Sequence, residues 1–389
     1  MLISHVKLQN WKNFQHAEAS LLDVTYVLGA NATGKSNLLD VFRFLRDIAK
    51  PQGGGIQKAV ADRGGLKKLR CLHARSKPEI VIEVHLSDNF DDPVPIWRYV
   101  LALKAESSGI KRPIIAAEEV YKLVDGKERC FLRRPDKDDV LDRERLTQTS
   151  LEQIQTNSDF RELADQFSEI TYLHLVPQLV KFGSSIGGQT VESDPFGQAF
   201  LERVAKANGK VRTSRLGRIQ KALSIAVPQF EELKFVRDEI TGRPHLEARY
   251  AHHRPAAGWQ REDQFSDGTL RLIALFWLLM EGDSLLLLEE PELSLDEEIV
   301  RNLPRLIEQV RRSTKKRQRQ IIISTHSQAL LDNKSVDGRG VLWLDRVQEG
   351  TVVRSPSDEQ LELMREGYSP AEILLSKAHP KDLHKMVLN

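Results

Sequence analysis

The sequence predicts an α/β fold in which an antiparallel β layer and a helical insertion are built onto a phosphate-binding core. Three observations predict it. A short apolar run, residues 24–28, leads into a glycine loop and then into residues with helical spacing. A second apolar run, 284–288, ends in two carboxylates. A third, 321–323, ends in Ser-Thr-His. Buried strands with polar C-terminal ends bring those ends beside the glycine loop.

The loop is Gly29-Ala30-Asn31-Ala32-Thr33-Gly34-Lys35-Ser36, which fits the pattern G-x-x-x-x-G-K-[ST] at every fixed position. Leu38, Val41, Phe42, Leu45 and Ile48 follow at helical spacing. Glycines let backbone N–H groups turn inward around phosphate oxygens, and the helix N-terminus adds partial positive charge. In this setting Lys35 reaches the β- and γ-phosphates, and the Ser36 hydroxyl holds Mg²⁺.

The other elements follow along the chain. Residues 2–8 read as a first strand, and Asn10-Trp11-Lys12-Asn13-Phe14 as a turn toward the strand before the loop. Pro51-Gln52-Gly53-Gly54-Gly55 ends the first helix. Residues 80–86 and 97–103 read as strands, and 120–124 with 129–132 as a hairpin about Asp125-Gly126. Residues 135–167 are charged and helical in character, 170–176 form a strand closed by Pro177-Gln178, and 181–189 read as loop. Residues 195–226 read as helix, and 230–250 as a hairpin about Thr241-Gly242. After His326 the chain reads as strands 340–344 and 350–353, then helices.

The run Ser284-Leu285-Leu286-Leu287-Leu288-Glu289-Glu290 places two acids at a strand end. One orients Mg²⁺ and the next polarises an attacking water, so Glu289 is assigned to the metal and Glu290 to the general base. His326, just past another buried strand, is a candidate hydrogen-bond partner for the γ-phosphate or the attacking water. Ser266 stands where it caps the apolar helix that follows, either as an ordinary cap or with the helix amides open to an anion.

The chain has 389 residues and a net charge of +2, a balance that neither requires nor excludes nucleic acid. Two cysteines leave no disulfide framework and no metal spacing, which fits a reducing cytoplasm. The N-terminus turns polar too early for a signal peptide, and the longest apolar stretch, 272–280, is too short to span a bilayer.

Together these motifs resemble the ATP-binding-cassette (ABC) superclass of P-loop ATPases. The branch they look most like holds the chromosome-maintenance and break-repair ATPases and the overcoming-lysogenisation-defect (OLD) family. Lys12 and Asn13 lie in a turn similar to that branch's N-F-K-N-F, near the nucleotide. Gly29 to Ser36, with Asn31, and then Asn37-Leu38-Leu39 resemble its G-x-N-x-x-G-K-S-N-L-L. Phe265-Ser266-Asp267-Gly268-Thr269 resembles the signature loop, which implies nucleotide contacts for Ser266 and Gly268. Glu289-Glu290-Pro291-Glu292 is similar to the E-E-P-E of OLD-like ATPases. Leu293-Ser294-Leu295-Asp296 looks like the D-loop, and Ser324-Thr325-His326-Ser327 like the switch-histidine segment. Gln178 is the candidate Q-loop residue, a Mg²⁺ contact, with Gln166 and Gln189 as competitors.

The resemblance implies three segments. Residues 1–134 would be an N-terminal lobe with the phosphate loop, 135–280 a helical insert ending in the signature, and 281–389 the rest of the ATPase core. It also implies a Mg²⁺-dependent ATPase whose heads pair head to tail around ATP, as a homodimer or a higher homo-oligomer. Sustained heptads for long arms are missing between residues 37 and 264, and no nuclease-like acid cluster follows His326. The expectation is therefore a head that controls a separate effector, such as a Toprim-like nuclease, in anti-phage defence or DNA repair. The alternative is an ATP-locked scaffold with little turnover. A basic run, residues 311–319, and a stripe of Arg212, Arg215, Arg218 and Lys221 leave DNA as a possible partner.

Overall fold

The structure is a computed structural model that describes residues 1–74, 78–92, 94–107, 109–186, 194–251, 258–312 and 319–378. The fold is α/β, and the chain forms two compact units. The first comprises residues 1–171, 320–328 and 336–389, and the second 172–319 and 329–335.

In the first unit, six antiparallel strands lie in the order Phe14–Ser20, Leu2–Trp11, Ile80–Ser87, Trp97–Ala105, Pro113–Val124, Lys127–Arg134. Ile80, Ile82, Val84 and Leu86 alternate inward, as a strand with one buried face requires. Asp125 and Gly126 both take positive φ, the conformation of a tight hairpin turn. The unit's other strands are Val24–Leu28 and its neighbours. Ile321–Thr325 pairs with it in parallel on one side, Val341–Val347 on the other, and Gly350–Arg354 completes an antiparallel edge. Burial accounts for the unbroken apolar run Ile321-Ile322-Ile323.

Residues 135–171 pack with this unit through buried apolar side chains such as Leu163 and Phe167, which meets Tyr99, and through one buried charge cluster. Arg134 pairs with Glu118 at 3.1 Å and with Asp139 at 2.8 Å, all three buried. Glu118 also accepts from the Tyr99 hydroxyl and from the Ser150 backbone. Removing any one partner would strand a buried charge, so the short helices after Arg134 stay tied to the antiparallel sheet.

In the second unit, Phe230–Arg237, Pro244–Tyr250 and Gln260–Arg261 form a three-stranded antiparallel sheet, with the expected turn at Thr241-Gly242. Its inner face, with Leu233, Leu246 and Ala248 buried, sits near helix Gly209–Ala226. Helix Asp267–Leu279 is apolar on nearly every face and correspondingly buried. Arg319 closes that helix. Its guanidinium donates to the carbonyls of Leu278 at 2.5 Å and Ser284 at 2.7 Å, and also to that of Glu281. Burial lowers this arginine to about 10.

Four sequence expectations change. Residues 177–186 are helical, because Pro177 supplies a preset φ at a helix start, and Gly183 lies inside that helix. The strand expected over 170–176 shortens to Thr171–Leu173. The basic stripe is divided: Arg212 lies over the Phe235 ring at 4.0 Å and Arg215 over Trp277 at 5.0 Å, which turns two of its four cations inward. The basic run keeps Arg311 and Arg319 buried, while its residues 313–318 lie outside the described set.

Candidate functional site

The phosphate loop is held open by its own backbone. Ala32 (φ 65°) and Gly34 (φ 103°) are both left-handed, and helix Lys35–Ala49 starts immediately after. A Cβ at Gly34 would lie 2.2 Å from the Asn13 amide nitrogen, so only glycine fits. Thr33 donates its hydroxyl to the Ala30 carbonyl at 2.8 Å, tightening the loop. Lys35 is buried and donates its ammonium to the Gly29 carbonyl at 2.8 Å. A glycine-lined cradle, a buried lysine and a 15-residue helix opening on the loop fit a nucleotide phosphate.

Asn13 joins this loop to two distant parts of the first unit. Its amide donates to the Thr33 carbonyl and to the Thr351 hydroxyl, both at 2.8 Å, and its oxygen accepts from Asn37 at 2.7 Å. Thr351 in turn donates to the Thr33 carbonyl at 2.9 Å. Lys12, with φ 49°, is turned to Asp40, its ammonium 2.6 Å from the carboxylate. Arg63 adds a two-pronged contact to Asp40 at 2.9 Å. Burial pushes Asp40 up, but Arg63 and Lys12 outweigh it and hold the carboxyl below its usual value. Asn31 and Ser36 are exposed on the loop and the first helical turn, and His326 is exposed just past Ile321–Thr325.

The second unit carries the acids. Leu286–Glu289 lies beside Thr171–Leu173. The Tyr172 hydroxyl donates to Glu289 Oε2 at 2.5 Å, and His174 Nδ1 is 3.4 Å from the Glu289 carbonyl. Glu290 has φ 45°, and Ser294 φ 61°. Each such residue costs of order 1 kcal/mol, so the surrounding chain must hold them there. Carboxylate and hydroxyl oxygens are the donors that suit Mg²⁺.

Ser266 caps helix Asp267–Leu279, accepting from the Thr269 backbone at 3.1 Å. Gly268 lies against the D-loop segment, where a Cβ would come 2.6 Å from the Ser294 carbonyl. Asp296 caps helix Glu297–Arg312 by accepting from the Glu298 backbone. Gln178 donates to Asp267 at 2.8 Å, and Lys181 pairs with the same carboxylate at 2.6 Å. The Gln178 side chain is thus drawn to the signature segment. Gln166 lies on helix Arg161–Ser168 in the first unit, and Gln189 lies outside the described residues.

A family profile described as "AAA domain, putative AbiEii toxin, Type IV TA system" matches residues 24–332. The chain belongs to that family. Among solved structures it is similar to an Smc head bound to the C-terminal winged-helix domain of ScpA. That match has 15% identity and a TM-score of 0.56, and covers 92% of this chain and 99% of the other. It is also similar to an Smc head with an extended coiled coil, bound to the C-terminal domain of ScpA, from Pyrococcus furiosus. Here identity is 12% and the TM-score 0.50, with 94% and 98% covered. No curated protein matches the chain. The profile makes the chain a member of an AAA-type ATPase family, and its fold is that of the Smc heads. Among the described residues no helix is long and apolar enough to cross a membrane.

Three residues of this ATPase escaped the sequence reading. Thr351 braces the loop from more than three hundred positions away, with Gly350 as its only local signal. Tyr172 sat in an ordinary apolar strand pattern. Arg271 is half-buried one helical turn after Asp267, and burial lowers it while the charges of Asp267, Glu292 and Glu290 raise it.

Proposed function

We propose that this ATPase binds ATP and Mg²⁺ at composite sites between paired heads and uses hydrolysis to control a separate effector protein. The observation that carries the reading is the capped signature helix, whose exposed Ser266 and close-packed Gly268 are the features a second head's nucleotide would meet. In this reading Gly29, Asn31, Gly34, Lys35, Ser36 and Asn37 hold the phosphates in one subunit, with Lys12 and Asn13 bracing the loop. Ser266, Gly268 and Asp296 close from the other. Ser36 and Glu289 hold Mg²⁺, with Gln178 as a third candidate. The ion's contribution is to neutralise charge on the phosphates. Glu290 takes the proton of the attacking water, and His326 orients that water or the γ-phosphate.

The effector is a separate protein, and a nuclease of the Toprim type is the first candidate. Anti-phage defence fits the toxin–antitoxin wording of the family description. DNA remains a candidate partner, but the inward turn of Arg212 and Arg215 weakens the basic stripe as its track.

The test is the native mass of Glu290→Gln with ATP and Mg²⁺, with and without the products of neighbouring genes. A nucleotide-dependent dimer that captures a nuclease-like neighbour supports the controlled effector. A nucleotide-independent assembly already holding its neighbour overturns it in favour of an ATP-locked scaffold.

A further inference from the structure

We infer that Tyr172 is a positioning residue for the metal-binding carboxylate, and that it is what allows a glutamate to serve at position 289. The inference rests on the reading of Glu289 as the Mg²⁺ acid. Glutamate carries its carboxylate on one more rotatable bond than aspartate, so its oxygens sweep a larger volume and lose more freedom when fixed on a metal. The Tyr172 hydroxyl removes that freedom in advance. It donates to Oε2 at 2.5 Å from a ring that is 6% exposed, on a strand beside the acid's own.

A second contact comes from the residue just past the strand. Tyr172, on the strand, and His174, just past its end, both meet position 289, one at the carboxylate and one 3.4 Å from the main-chain carbonyl. The His174 ring is backed edge-on by Phe196, with centroids 6.3 Å apart. One carboxylate oxygen and the backbone of Glu289 are therefore both contacted from the segment 172–174 before a metal arrives. Outer contacts of this kind orient metal ligands, and losing one costs about 10–100-fold in metal affinity or activity.

The experiment measures ATP binding by calorimetry across a Mg²⁺ titration, in a Glu290→Gln background so that turnover does not intrude. Tyr172→Phe keeps the buried ring and removes only the donor. The expected result is unchanged ATP affinity in EDTA and a Mg²⁺ requirement raised about tenfold. Glu289→Asp draws the carboxylate back by about 1.5 Å, one C–C bond, out of the hydroxyl's reach. It should raise the requirement similarly, and adding Tyr172→Phe to it should cost nothing more.

A Mg²⁺ curve moved less than twofold by Tyr172→Phe, while Glu289→Gln shifts it strongly, overturns the positioning role alone. A curve that Glu289→Gln itself leaves in place overturns the assignment of the acid. Should Tyr172→Phe not fold, Glu289→Asp reads the same bond from the other side, and an unchanged curve there overturns the inference.

Discussion

Gly268 and the Ser294 carbonyl oxygen are in direct contact, with 2.6 Å between that oxygen and the place a Cβ would occupy. The signature helix and the D-loop turn of one unit are thus packed with no room for a side chain at their junction. Ser294 is itself left-handed, at φ 61°, so the turn has little slack with which to retreat. Gly268→Ala should therefore displace one segment from the other. We expect ATP turnover to fall at least tenfold while ATP binding through Lys35 persists, measured by phosphate release and by filter binding.

Asn13 and Thr351 test how the loop is braced. Thr351→Val keeps the shape but deletes the donor to the Thr33 carbonyl and the acceptor for Asn13. Two lost hydrogen bonds predict destabilisation by about 1–3 kcal/mol. Urea unfolding would read this, alongside a weaker ATP affinity by calorimetry. A variant as stable as the parent would mean that the brace is ornamental.

The lysine and the two acids should separate cleanly. Lys35→Ala should abolish nucleotide binding, because the buried ammonium is the loop's cation. Glu290→Gln should bind ATP and accumulate paired heads without turnover. Glu289→Gln should lose the Mg²⁺-dependent part of binding. The reverse pattern for the two acids would exchange their roles.

A pH dependence follows from Glu152. Its carboxylate is raised to about 7, first by burial and then by the charge of Glu118. It accepts from the Ile56 backbone at 2.6 Å, at the start of helix Ile56–Ala61. An acid whose folded value lies above its unfolded one binds more protons folded than unfolded between the two. Stability then falls as pH rises from about 4.5 to about 7 and levels off above. Glu152→Gln should flatten that slope, as followed by thermal melting from pH 4.5 to 8.

Much of the core was legible because its signals are local. The strand before the loop, the glycine loop and the hairpins at Asp125-Gly126 and Thr241-Gly242 each depend on residues within a few positions of one another. Ser266 was readable as a cap for the same reason. What escaped depends on partners far along the chain. Tyr172 meets Glu289 across 117 positions, and Arg212 turns inward because Phe235 waits on another element. Three-residue spacing alone cannot say whether a cation faces water or an aromatic ring. Gln178 was named as the candidate Q-loop residue by resemblance, and its contact with Asp267 from a proline-initiated helix was not readable from the sequence.

The knot of Asn13, Thr33 and Thr351 also sets a clock. A ribosome makes the glycine loop more than three hundred residues before it delivers Thr351. Until then the nascent loop lacks one of its two braces, and a chain cut short before the Gly350–Arg354 strand never acquires it. The nucleotide cradle is therefore finished only once the chain has passed Thr351, and copies stalled or cut before that point are poorly equipped to grip ATP.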